Sequence, residues 1–154
     1  MPPDVRFARP QDAERVIALA SSMYESMGLD VTRPEWRAEA ERMIRERSGG
    51  DDCAVFVSEV DGEPVACGGV TLTTRLPGPG VPNARYAYIQ WMVTDPAHRR
   101  RGHGRAVFEA ILAWVRGRGV RNAELHATSE GEPLYRAFGF DDPRYPQLRA
   151  GLEG

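Results

Sequence analysis

The chain has 154 residues, 42% hydrophobic and 27% charged, enough for one globular domain with a central sheet and flanking helices and too ordered a composition for a disordered chain. Twenty basic residues against 22 acidic ones leave a net charge of −2, which argues against a general nucleic-acid binder. All twenty are arginine, so a catalytic lysine is excluded; no apolar run approaches the roughly 20 residues of a membrane span, and MPPDVRFARP lacks the apolar core of a signal peptide, so a cytoplasmic protein is expected.

A short strand is expected around Val5 to Ala8. Asp12 is placed to cap a helix running to Met27, with Val16, Leu19, Ala20, Met23 and Met27 at helical spacing and Gly28 as its stop. A second helix fits Pro34 to Arg47, with proline in its first turn. Strands follow at Cys53 to Val60 and Pro64 to Thr73, joined by an Asp61-Gly62 hairpin turn. Folding about that turn sets Phe56 opposite Cys67 and Cys53 opposite Val70, too far apart for a disulfide. Both thiols then read as buried packing, and no ligand cluster accompanies them, so no metal site is expected.

The segment Arg75 to Arg85, RLPGPGVPNAR, is a loop. Tyr86 to Val93 is an apolar, aromatic strand, and Gly104 to Arg116 an amphipathic helix burying Val107, Ala110, Ile111, Trp114 and Val115. A strand at Arg121 to Ala127, a short helix at Pro133 to Phe138 and a final strand or tail after Gly139-Phe140 complete the order.

The chemistry concentrates between Val93 and Arg105, VTDPAHRRRGHGR, which joins a buried strand to a helix. Gly102 and Gly104 let a ligand approach the backbone. The first amides of the helix have no partner within it, and the helix dipole adds positive charge there. A phosphate or diphosphate suits such a site, with Arg99, Arg100, Arg101 and Arg105 as further donors. The spacing is neither a P-loop, which needs a lysine, nor a dinucleotide fingerprint. A solvated basic turn is the other reading of these residues. Nucleic acid is disfavoured again, because no aromatic residue interleaves the arginines.

Val93-x-x-Pro96-x-x-Arg99-x-x-Gly102-x-Gly104 resembles the acetyl-CoA signature of the GCN5-related N-acetyltransferase (GNAT) superfamily. Leu134-Tyr135-Arg136-Ala137-Phe138-Gly139-Phe140 is similar to the family's Leu-Tyr-x-x-x-Gly-Phe segment. The resemblance covers Tyr86 to Phe140 by motif and the N-terminal half by element order. It implies an α/β (α+β) fold: a single domain over residues 1–154, with a mixed, mostly antiparallel sheet of about six to seven strands flanked by about four helices.

The resemblance also implies an N-acetyltransferase that moves acetyl from acetyl-CoA to a primary amine on a small molecule or a peptide N-terminus. The amides of Arg100, Arg101, Gly102, His103, Gly104 and Arg105, with Arg99, would hold the diphosphate. Trp91, Met92 and Val93 would pair with the pantetheine like an added strand, and an amide near Met92 or Val93 would polarise the thioester carbonyl. Tyr135 would protonate the departing thiolate; packing of the short helix is its other reading. Many relatives carry an asparagine after the strand before Tyr135; here Thr128 or Ser129 stands in that stretch, and Ser129 is assigned to the cofactor.

His126, at the end of that strand, is the candidate general base, since histidine titrates near neutrality; a histidine bonded at a strand end is the alternative. Glu25, near the end of the first helix, is a second candidate base; Tyr24, Glu25 and Gln90 are candidates for contact with the acceptor, while His98 and His103 read as surface residues. A homodimer accords with the family's habit. The other function class open to the sequence is a non-catalytic CoA- or nucleotide-binding module of the same fold.

Overall fold

The structure is a computed structural model, and it describes residues 3–152. Five strands form one sheet in the order β1-β2-β3-β4-β5. They are β1 Asp4–Phe7, β2 Cys53–Val60, β3 Glu63–Thr74, β4 Arg85–Thr94 and β5 Ala123–Leu125. Four helices accompany them: α1 Ala13–Ser26, α2 Pro34–Glu46, α3 His103–Gly117 and α4 Glu132–Ala137. All neighbouring strands are antiparallel except β4 and β5, which run parallel. The fold class agrees with the mixed α/β expectation, with five strands among the described residues instead of six to seven. After Gly139 the chain continues as irregular tail rather than strand. Pro143 and Pro146 interrupt that tail and cannot donate to a ladder.

The sheet is covered on both faces, which is why β2 and β3 read as continuous apolar runs. Ala54, Phe56, Val70, Leu72 and Ile89 pack on one side against Val107, Phe108, Ile111 and Val115 of α3. Val55, Val57 and Cys67 pack on the other against Val16, Ile17, Leu19, Ala40 and Ile44 of α1 and α2. Burying side chains of this size stabilises by about 1.5–3 kcal/mol each. No helix of the described residues is long and apolar enough to cross a membrane.

Asp12 does not cap α1. Its carboxylate instead accepts from the Arg9 amide at 2.7 Å and from Arg6 at 2.7 Å, tying a short 3-10 turn, Pro10–Asp12, to the edge strand. Asp61 and Gly62 both have positive φ, 53° and 80°, as a type I′ hairpin turn requires.

A bulge between Ser58 and Glu59 then shifts the expected register by one. Val57, not Phe56, faces Cys67, and Cys53 faces Thr71. Val65 is the extra residue, with no partner in the β2 ladder. The two cysteines are buried and free.

Candidate active site

The ladder between β3 and β4 breaks where the chemistry was expected. Cys67 pairs with Val93 and Gly69 with Gln90, so Trp91 and Met92 together oppose Gly68. Trp91 takes a left-handed conformation, φ 61°. The extra residue resets the alternation. Ile89 and Met92 pack on the α3 face, whereas Trp91 and Val93 pack on the α1 face. The Cys67 thiol donates to the Trp91 carbonyl at 3.3 Å, satisfying an acceptor that the bulge takes out of the ladder. Burial pushes this thiol up to about 12, so it stays protonated and keeps that donor.

β5 follows β4 only from Ala87 to Ile89, where it ends opposite at Leu125. Beyond Ile89 the outer edge of β4 has no strand beside it among the described residues. A cavity of about 300 Å³ opens there, walled by the end of α1, the bulge, the end of β5, Tyr135 of α4 and the C-terminal tail.

One end of this opening leads by sequence to the arginine turn. Arg100 and Gly102 are both left-handed, φ 64° and 84°, and α3 starts at His103 with no side chain capping it. Among the described residues, the amides of Arg101 through Arg105 find no acceptor in any turn, cap or side chain. Arg100 and Arg101 form no ion pair there, whereas Arg99 reaches Glu130 at 3.4 Å and Arg105 reaches Glu109 at 3.1 Å. A Cβ on Gly104 would come 3.3 Å from the Thr94 hydroxyl oxygen, so the backbone is bare and close-packed there. Free amides, a helix N-terminus and two unpaired guanidiniums are the donor set a diphosphate requires. The residues present therefore fit CoA.

His103 departs from its surface reading. Its side chain is buried, and Nδ1 lies 2.7 Å from the Ser58 hydroxyl. Burial, with the positive charge of His98 and Arg101 nearby, holds its pKa below the ordinary value. Only its backbone faces the turn as a helix N-terminal amide. The buried bond to β2 anchors the start of α3 to the sheet, which fixes the direction of the free amides.

Tyr135 is 7% exposed, packed on Phe108 with ring centroids 5.1 Å apart, and it lines the cavity. Burial pushes its pKa up to about 12, so the phenol carries its proton at neutral pH. Its ring lies tight against Gly131, where a Cβ would fall 2.9 Å from the hydroxyl. Tyr24, Gln90, Trp91 and Met92 also line the cavity. Burial raises the Tyr24 pKa, with hydrogen bonding to Trp91 opposing the effect.

His126 stands at the rim, with Nδ1 bonded to the Tyr88 hydroxyl and the two rings edge to face. Arg149 Nη2 lies 3.2 Å from Nε2 and 3.3 Å from Nδ1 of the same imidazole. The histidine bonded at a strand end is thus the arrangement present, and both Tyr88 and Arg149 line the cavity beside it.

Besides the arginine turn, three candidates do not line the cavity: Val93, whose side chain packs on the α1 face, Glu25 and Ser129. Glu25 is exposed and does not line the cavity; one residue further along α1 than Tyr24 is a rotation of roughly 100° away from it. Ser129 is likewise exposed and off the wall, whereas Thr128 lines it. Thr128 is partly engaged, its carbonyl and hydroxyl accepting from the Gly131 amide at 3.1 and 3.3 Å. A larger groove of about 640 Å³ runs between the end of α3 and residues 138–141, and no candidate residue lines it.

Sequence reasoning missed Arg149, which sits in a tail without motif or periodicity, and it covered Tyr88 only as part of the aromatic strand Tyr86 to Val93. The strong β-pattern of Tyr86 to Val93 carried the signal for Tyr88, whose side chain alternates with Ala87 and Ile89 away from the α3 face.

Comparison with known proteins converges on the same architecture. The family model described as Acetyltransferase (GNAT) family matches residues 14–140. A GCN5-related N-acetyltransferase from Ralstonia eutropha JMP134 superposes with a TM-score of 0.83 at 27% identity, covering 96% of this chain and 98% of that one. A predicted acetyltransferase from Clostridium acetobutylicum, solved with acetyl-CoA, superposes at 0.82 and 18% identity over 96% of both chains. Serotonin N-acetyltransferase 2, chloroplastic, from Oryza sativa subsp. japonica is 39% identical over 80 residues, 51% of this chain and 35% of the rice protein. The chain thus spans about a third of the length of that curated relative. With its motif turn, bulged strand and family match in agreement, the chain belongs to the GNAT family of acetyltransferases, enzymes that take their acetyl group from acetyl-CoA.

Proposed function

We propose that this chain transfers acetyl from acetyl-CoA to a primary amine by direct attack, with Tyr135 as the general acid. The observation that carries the reading is the outer edge of β4 beyond Ile89, which β5 leaves unpaired where the Trp91–Met92 bulge falls, immediately beside a cavity that Tyr135 lines. The amides from Arg101 to Arg105, with Arg100 and Arg101, hold the diphosphate. The edge at Trp91, Met92 and Val93 pairs with the pantetheine amides, and an amide near Met92 or Val93 donates to the carbonyl oxygen as it gains charge.

Acetyl-CoA supplies an activated thioester, so the chain needs no nucleophilic side chain of its own. Its work is to align the amine, remove one proton and supply another. Tyr135 holds its proton through neutral pH because burial disfavours the phenolate. That proton goes from Oη to the departing sulfur. His126 accepts the amine's proton directly or through water. The Tyr88 hydroxyl meets His126 at the cavity wall, which both residues line.

The test is amine-dependent release of CoA thiol across a panel of primary amines, with mass spectrometry of the products. The reading expects an N-acetylated product and thiol release in equal amounts. Binding of acetyl-CoA without product from any amine class would leave a non-catalytic module instead.

A further inference from the structure

We infer that the acceptor is a primary amine that also carries an anionic oxygen group, a carboxylate or a phosphate, bound by Arg149. The inference rests on the transferase reading above and narrows its substrate class. Its ground is the charge of the cavity wall. Among the described residues that line the cavity there is no carboxylate, and Arg149 is the sole formally charged side chain. A polycationic acceptor would therefore enter with no counter-charge, beside a guanidinium that repels it.

Arg149 is also held in place. Its Nη2 rests over the His126 imidazole, 3.2 Å from Nε2 and 3.3 Å from Nδ1, while the Tyr88 hydroxyl meets Nδ1. An arginine has five N–H donors. The remaining ones have no side-chain or backbone acceptor among the described residues, and the group makes no ion pair there. A planar, unpaired fork at a cavity rim matches a carboxylate or phosphate in two-pronged geometry. Arg149 touches His126, so an anion bound there keeps the acceptor's amine within reach of that base, directly or through water. Apart from Gln90 and Thr128, the rest of the lining is apolar or aromatic, with Tyr24, Tyr88 and Trp91 among it, and it suits the carbon body of such an amine.

The experiment uses matched acceptors that differ only in the anion: L-amino acids against their decarboxylated amines, and O-phosphoethanolamine against ethanolamine. Each is titrated calorimetrically into the protein in the presence of CoA and assayed for acetylation, in wild type, Arg149→Gln and Arg149→Lys. The expected result is a preference of at least tenfold for the anionic member of a pair. That preference falls at least fivefold in Arg149→Gln and partly returns in Arg149→Lys. The amino-acid and phosphate arms separate the two anions. Equal or better binding of the partners that lack the anion throughout would overturn the inference, as would an unchanged preference in Arg149→Gln. Failure of the transferase reading looks different: no acetylated product from any acceptor. In that event the calorimetric preference alone decides on the anion site.

Discussion

Met92 sits directly over Gly68: a Cβ at position 68 would come 2.4 Å from the Met92 sulfur and 2.9 Å from Ile111 Cδ1 and Val107 Cγ1. The bulged strand and α3 are therefore pressed onto a backbone that has no side chain to give way. Neighbouring Gly69 is different, since a Cβ there would meet nothing closer than 3.7 Å. Gly68→Ala is expected to cost about 1–3 kcal/mol through overpacking and to weaken acetyl-CoA binding by displacing Met92. Gly69→Ala should leave both nearly unchanged. Thermal melts and calorimetry on the two variants make the comparison.

Tyr135→Phe removes a hydroxyl and keeps the packing on Phe108 and Phe140. Turnover is expected to fall by about 10²-fold or more, the scale of a lost proton donor, with little change in acetyl-CoA affinity. The wild-type pH profile should show no loss of the acid form until the pH approaches about 12. Steady-state kinetics of the variant, together with its cofactor affinity by calorimetry, separate a lost acid from a lost fold.

Asp12 links stability to pH. Burial disfavours its charge, but the hydrogen bond from Arg6 and the Arg9 amide outweigh that, and its pKa lies below the ordinary 3.8. A carboxylate with a depressed folded-state pKa stabilises fully above its unfolded pKa and loses that contribution as pH falls through the folded value. Unfolding free energy should therefore decline below about pH 4. Asp12→Asn should lower stability at pH 7 by about 1.5–3 kcal/mol, the worth of a charge-assisted bond, and flatten the acid limb. Urea melts from pH 2 to pH 7 provide the measurement.

Cys67 is expected to resist thiol reagents in the folded protein. Its thiol is fully buried, burial lifts its pKa to about 12, and Cys53 is raised in the same direction. Reaction of either cysteine with a disulfide reagent at pH 8 should follow the unfolding rate, and both should react at once in denaturant. Rapid labelling of native protein at pH 8 would contradict that picture.

Most of the framework was legible because it rests on local rules. The amphipathic period of α3, the Asp61-Gly62 turn and the two-sided burial of β2 each follow from residue spacing, and Cys53–Val60 matches its expected strand to the residue. The features that shape the site do not. A left-handed tryptophan carries no compositional signal, because φ above zero is signalled by glycine or asparagine and Trp91 is held there by the ladder on either side. The one-residue slip at Val65 is set by pairing across two strands. His103 and Ser58 are 45 positions apart, so their buried bond is invisible to any local window. Arg149 reaches the cavity through an irregular tail whose prolines predict only the absence of a strand.

The central claim is that the turn from Arg100 to Arg105 grips the diphosphate of CoA through its backbone N–H groups, with the thioester end at the Trp91–Met92 bulge. A crystal structure of the protein with acetyl-CoA tests this most directly. Diphosphate oxygens within about 2.7–3.2 Å of the amides of Gly102 to Arg105, with the acetyl group beside Met92 and Tyr135, are the predicted result. Acetyl-CoA bound elsewhere, with those amides facing only solvent, would contradict it.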